Sequence, residues 1–164
     1  MKTIFINFLL LNLLLSCSKD DSKMSDVEVF IQQVKNDKYL ADSLPEFTSD
    51  AIPVLLDYAD DFSEISNFPV NPYSSHGFFK KKVGECLLWT IEYIRLYAGI
   101  YASSPGFPSL IPQLMSNEYP YELNNAQLLE VYNLYYSWWY DNKDKDFDTI
   151  RTINPLKDSG FRWR

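Results

Sequence analysis

Val83-Gly84-Glu85-Cys86-Leu87-Leu88-Trp89-Thr90-Ile91-Glu92-Tyr93-Ile94-Arg95-Leu96 is the stretch on which the fold turns. Val83, Leu87, Ile91 and Ile94 recur at helical spacing, continued by Ala98, while Cys86, Leu88, Trp89 and Leu96 spread around the other sides. A helix apolar over most of its circumference belongs at the centre of a domain. The periodicity predicts this central helix over about Lys82 to Tyr101.

Three more helices are predicted around it. Ser25 with Glu28 three positions later forms a capping box, and Val27, Phe30, Ile31 and Val34 follow at i, i+3, i+4, i+7. That first helix should end near Asp37. In the second, Asp50 is the expected cap, Pro53 sits in the first turn where its missing N–H costs little, and Ile52, Leu55, Leu56 and Ala59 repeat the stripe. The fourth should run from about Asn125 to Asp141, capped by Asn124 with Gln127. Its polar positions Gln127, Glu130, Ser137 and Asp141 form a narrow stripe, which puts Leu129, Tyr132, Tyr136 and Trp139 opposite, in the core.

Between these elements lie two long, proline-containing connections, Phe62 to Phe79 and Ser103 to Leu123, the second with a helical turn expected at Leu110 to Met115. A last short helix is expected before Pro155. No strand-like alternation is sustained. The expectation is an all-α single domain over residues 25–164, with about four main helices and two long connections. The second and third helices look like one HEAT-type pair, without the repeat that a solenoid requires.

The chain starts differently. Lys2 precedes an apolar run from Ile4 to Leu15, broken by Asn7 and Asn12, and small Ser16 stands before Cys17. This order of charge, apolar run and small residue is that of a secretory signal. The run is too short to span a bilayer, which takes about 20 apolar residues. Leu14-Leu15-Ser16-Cys17 resembles the lipobox of bacterial lipoproteins. That resemblance implies removal of residues 1–16 and acylation of Cys17 with more than one chain, as stable anchoring needs. Residues 17–24 then form a flexible tether. Within it, Ser18-Lys19-Asp20-Asp21-Ser22 resembles the surface-export signal of Bacteroidetes lipoproteins and implies a domain facing the medium, the alternative being an acidic linker on a periplasm-facing protein.

Composition narrows the function classes. Hydrophobic residues make up 46% and aromatics 16%, with twelve Tyr, eleven Phe and four Trp, so the chain has ample material for a core. The formal net charge is −7, one unit more negative once Lys2 is removed. That opposes nucleic-acid binding, which rests on phosphate neutralisation. With Cys17 lipidated, Cys86 is the one cysteine left, so no intrachain disulfide is available.

Leu44-Pro45-Glu46-Phe47, Ala51 to Asp61, Phe68 to Pro72, Leu87 to Arg95 and the closing Asn154-to-Trp163 segment together resemble a family of uncharacterised Bacteroidetes lipoproteins. The resemblance implies compartment and single-domain architecture, and carries no activity or site residue.

Chemistry-bearing residues are sparse. His76, the single histidine, sits in Tyr73-Ser74-Ser75-His76-Gly77 near serines, without the orienting acid and oxyanion hole a triad needs. Zinc sites use several Cys or His ligands, and Asp141 to Asp146 lacks the glycine turn and terminal Glu of a calcium loop. No metal or cofactor is expected. Cys86 reads as packing. Lys80-Lys81-Lys82 reads as a solvated run or a contact for an acidic partner. Glu85 and Glu92, seven residues apart with Trp89 between, are the one candidate acid/base pair for glycan hydrolysis; against it stands a solvated stripe with Glu92 pairing Arg95.

The aromatic surplus has the most functional colour, since Tyr and Trp favour interfaces. Tyr73, His76, Tyr135 and Trp138 are the candidate binding surface. The expected function is a membrane-tethered, surface-exposed lipoprotein acting as a non-catalytic binding module for an extracellular glycan or protein. The alternatives are the glycan hydrolase and a structural subunit of an outer-membrane complex.

Overall fold

A computed structural model of the protein describes residues 24–69, 80–97, 113–116 and 123–163. In chain order the elements are α1 (Asp26–Lys35), α2 (Ala51–Leu56), β1 (Glu64–Ile65), β2 (Lys81–Lys82), α3 (Val83–Tyr97), β3 (Gln113–Leu114), α4 (Asn125–Tyr140), α5 (Phe147–Ile150) and β4 (Phe161–Arg162).

The domain is therefore not a four-helix, all-α fold. Three of these helices are long; α2 has six residues and α5 has four. Two small antiparallel ladders join them, β1 with β2 (Glu64 opposite Lys82, Ile65 opposite Lys81) and β3 with β4 (Gln113 opposite Arg162, Leu114 opposite Phe161). Strands of two residues have no room for a period-2 pattern, so sequence periodicity does not register them. Gln113–Leu114 is a strand where a helical turn was expected. The HEAT-type pair is likewise not formed. α2 is too short, and the chain reaches α3 through the β1–β2 ladder.

Local signals set the helix starts. Ser25 and Glu28 form the expected capping box on α1, and Asn124 and Gln127 form one on α4. Asp50 does not cap α2. Its backbone is already helical and its side chain makes no cap hydrogen bond, because tight turns from Thr48 and Ser49 carbonyls accept the first N–H groups instead. At the end of α1, the Asp37 N–H donates to the Val34 carbonyl and the Lys38 N–H to the Gln33 carbonyl, a Schellman closure. Asp37 takes the left-handed conformation this requires, with φ 57°. Its carboxylate accepts the Ser66 and Asn67 N–H groups at 2.9 and 2.6 Å, so the cost of that conformation is offset by a tie between α1 and the segment after β1.

The central role of α3 holds. Val83, Cys86, Leu87, Ile91 and Ile94 are fully buried, against Phe30, Ile31 and Val34 of α1 and Ile52, Leu55, Leu56 and Ala59 around α2. The first turn of α3 is pressed against the end of α2. The Gly84 N–H donates to the Asp61 carbonyl, and a Cβ at position 84 would overlap the Ala59 carbonyl oxygen. Among the described residues, no helix is long and apolar enough to cross a membrane.

Candidate functional site

α4 carries ten apolar or aromatic residues on its last thirteen positions from Leu128, so the buried face has to be found by packing. Leu128, Val131, Tyr135, Trp138 and Trp139 face the core. Tyr135 is 0% and Trp138 5% exposed, so neither can serve as a binding surface. The expected face is rotated by roughly a quarter turn, at about 100° per residue. The sequence signal for the true face was Asn133, a polar position beside Glu130 and Ser137 that shifts the solvent side. Tyrosine, with an apolar ring and a polar tip, tolerates the side thus vacated.

That side holds a row of tyrosines. Tyr132 is half-buried, while Tyr136, Tyr140 and the neighbouring Leu129 are 40%, 37% and 42% exposed. The Tyr132 and Tyr136 rings lie 5.9 Å apart, and Tyr136 and Tyr140 only 4.4 Å apart with 32° between planes. The Lys143 ammonium sits over the Tyr140 ring, 4.9 Å from its centroid. Asp57 and Asp60, from the end of α2, border the row. Partial burial raises the pKa of the Tyr132 hydroxyl, and the charges of Asp60, Tyr136 and Asp57 push it the same way; at Tyr140, burial acts together with Tyr136 and Asp57. Tyr132 and Tyr140 thus hold their protons more firmly than free tyrosine. Both Tyr136 and Lys143 lie against the Tyr140 ring, and the Tyr140 hydroxyl shares a hydrogen bond with Tyr136.

The carboxylate pair resolves differently. Glu92 is 6% exposed, and both of its oxygens are engaged by Arg95, through Nε at 3.0 Å and Nη2 at 2.5 Å. The Tyr135 hydroxyl donates to Glu92 Oε2, and Trp163 Nε1 donates to the Tyr135 oxygen. Arg95 Nη1 reaches the Arg151 carbonyl, and Arg151 returns a bond to the Leu96 carbonyl. The pairing with Arg95 is the one expected, but Glu92 and Arg95 are buried and not solvated, while Glu85 is half-buried. A carboxylate so enclosed has no free oxygen to present to a water or a leaving group. Trp89 is 2% exposed and packs against Phe68 and Trp163, so it lines no open cleft. The Cys86 thiol is fully enclosed; burial, reinforced by Glu85, pushes its pKa well above the ordinary value despite Lys81. A thiol that keeps its proton is a poor nucleophile.

Residues 21–164 match a family described as "Domain of unknown function (DUF4943)". The chain belongs to this family. No curated protein and no solved structure matches it.

In this DUF4943 domain only the first residue of the lysine run, Lys80, is solvated. Lys80 pairs with exposed Glu64 at 2.9 Å, Lys81 is 6% exposed with its ammonium 5.8 Å from the Trp89 ring centroid, and Lys82 donates to the Leu123 carbonyl at 3.2 Å. Positions 81 and 82 form β2, which explains why they are consumed structurally. Among the described residues, no group of three or more His, Cys, Asp and Glu is placed to hold a metal ion. Tyr73, His76 and Cys17, together with residues 1–16 and most of the 17–24 tether, lie outside the described residues. The structure brings together Tyr132, Tyr136, Tyr140, Asp57 and Asp60, a grouping that sequence spacing alone did not assemble.

Proposed function

We propose that this DUF4943 domain is the folded part of a lipoprotein of the Bacteroidetes type, anchored through Cys17 in the outer membrane. Lys19, Asp20 and Asp21 act as its export signal to the cell surface. The domain is a non-catalytic interaction module. The observation that carries this reading is the Tyr132–Tyr136–Tyr140 row, exposed at Tyr136 and Tyr140 and bordered by Asp57 and Asp60. Tyrosine supplies large contact area at low side-chain entropy cost, and it is enriched where proteins meet.

A protein partner suits this surface better than a glycan. Sugars stack on open ring faces, whereas here Tyr136 and Lys143 already lie over the Tyr140 ring. Partly covered rings, hydroxyls and two carboxylates match a protein surface with hydrogen-bonding and basic groups. The enclosure of Glu92 argues against the hydrolase alternative.

Cross-linking on intact cells tests the reading. The wild type should give a discrete cross-linked partner, and Tyr136→Ala with Tyr140→Ala should lose it while keeping the melting temperature within a few degrees. Retention of the same partner by that variant would exclude the tyrosine row. Cys17→Ala should release the domain from the membrane fraction. A domain of the wild type shielded from protease added to whole cells would replace surface display with the periplasm-facing alternative.

A further inference from the structure

A second surface, at the start of α1, has chemistry that the tyrosine row does not use. An open groove of about 600 Å³ runs between the N-terminus of α1, residues 45–48 and the first turn of α2. Its apolar lining comes from half-buried Val27, Phe47 and Val54, and its polar lining includes exposed Asp26, Glu46 and Asp50. The apolar part is preformed, because Phe47 is held edge-on against core residue Phe30 at 5.5 Å and 73°. Asp50 starts α2 without capping it, and among the described residues none of the three acids joins an ion pair. Among the described residues, no Lys or Arg lines the groove.

Three carboxylates around an apolar strip call for a ligand that is cationic and apolar at once. Pockets for small molecules bury about 70–90% of the ligand surface, and a groove open along its side cannot do that. A chain segment laid along it can fill the strip with one side chain and leave its backbone in water. We propose that this groove docks a segment of a partner protein in which one large apolar side chain is flanked by arginine or lysine.

The proposal is tested with the full chain in detergent micelles and a fluorescein-labelled pentapeptide, phenylalanine between two arginines within glycine ends. Saturable binding is expected, weakened at least tenfold when glutamates replace the arginines or glycine replaces the phenylalanine. Glu46→Gln with Asp50→Asn should weaken binding at least tenfold, whereas Asp148→Asn and Tyr136→Ala should leave it unchanged. A photoactivatable version of the peptide should cross-link within residues 25–54 of the wild type, which keeps the proposal testable if the double variant misfolds. Absence of saturable binding, equal loss with Asp148→Asn, or cross-links elsewhere would overturn it. Loss with Tyr136→Ala alone would move the peptide to the tyrosine row.

Discussion

The Tyr135 hydroxyl donates to Glu92 Oε2 at 2.7 Å, joining α4 to α3 inside the core. The bond belongs to a chain that runs from Trp163 through Tyr135 to Glu92 and Arg95, and on to the Arg151 carbonyl. It holds the C-terminal segment against the two longest helices.

Removing one member of that chain should cost more than an average substitution. Glu92→Ala leaves the Arg95 guanidinium buried without its counter-charge, a change worth about 3–5 kcal/mol. Tyr135→Phe deletes an acceptor for Trp163 and a donor for Glu92, and should cost about 1–3 kcal/mol. Urea unfolding of the two variants should show that ranking. Equal losses below about half a kcal/mol would mean that the network is not a stabilising unit.

Alkaline pH should destabilise the fold. Burial, aided by Glu92, raises the Tyr135 hydroxyl well above 10.0, and burial raises the Cys86 thiol well above 9.0. Both groups keep their protons in the folded chain at a pH where the unfolded chain loses them. The unfolded state then binds fewer protons, and stability falls with rising pH. The loss should begin near pH 9 with Cys86 and steepen above pH 10 with Tyr135. Urea midpoints along this range should fall less steeply for Cys86→Ala.

Gly84→Ala sets two effects against each other. Alanine favours a helix over glycine by about 1 kcal/mol. Its Cβ, however, would overlap the Ala59 carbonyl oxygen, which is backbone and cannot swing away. Overpacking costs about 1–3 kcal/mol, so thermal denaturation should show a lower melting temperature for the variant despite the better helix former.

Asp37→Gly poses the same kind of contest. Glycine takes φ 57° freely, a gain of up to about 1 kcal/mol. The carboxylate bonds to the Ser66 and Asn67 N–H groups are lost. Hydrogen bonds to a charged acceptor contribute about 1.5–3 kcal/mol, so a net loss of about 1 kcal/mol is expected in equilibrium unfolding. Amide exchange at Ser66 and Asn67 should speed up as well.

Much of the helical framework was legible from local patterns. The α1 stripe of Phe30, Ile31 and Val34 and the α3 stripe of Val83, Leu87, Ile91 and Ile94 are buried where periodicity put them. The candidate site was less so. Periodicity puts Tyr132 and Tyr136 in the core and Tyr135 and Trp138 at the surface; in the fold Tyr135 and Trp138 are buried and Tyr136 is exposed. Apolar residues surround so much of α4 that periodicity alone gives a broad choice of faces. Asp57 and Asp60, which complete the tyrosine row, sit far away in sequence on the end of α2.

By itself the sequence determined the starts of α1 and α4 and the centrality of α3. Capping boxes act within four residues, and a helix apolar nearly all round has to be enclosed wherever its neighbours come from. Tertiary structure alone decided that Glu92 and Arg95 form a sealed pair and that Lys81 and Lys82 become a strand. It also decided which side of α4 meets water. Each of these outcomes depends on a group remote in the chain: Tyr135 for Glu92, Glu64 and Ile65 for the lysines, α2 and α3 for the face of α4. Side chains as ambivalent as tyrosine, glutamate and lysine take their role from the partner that packing supplies.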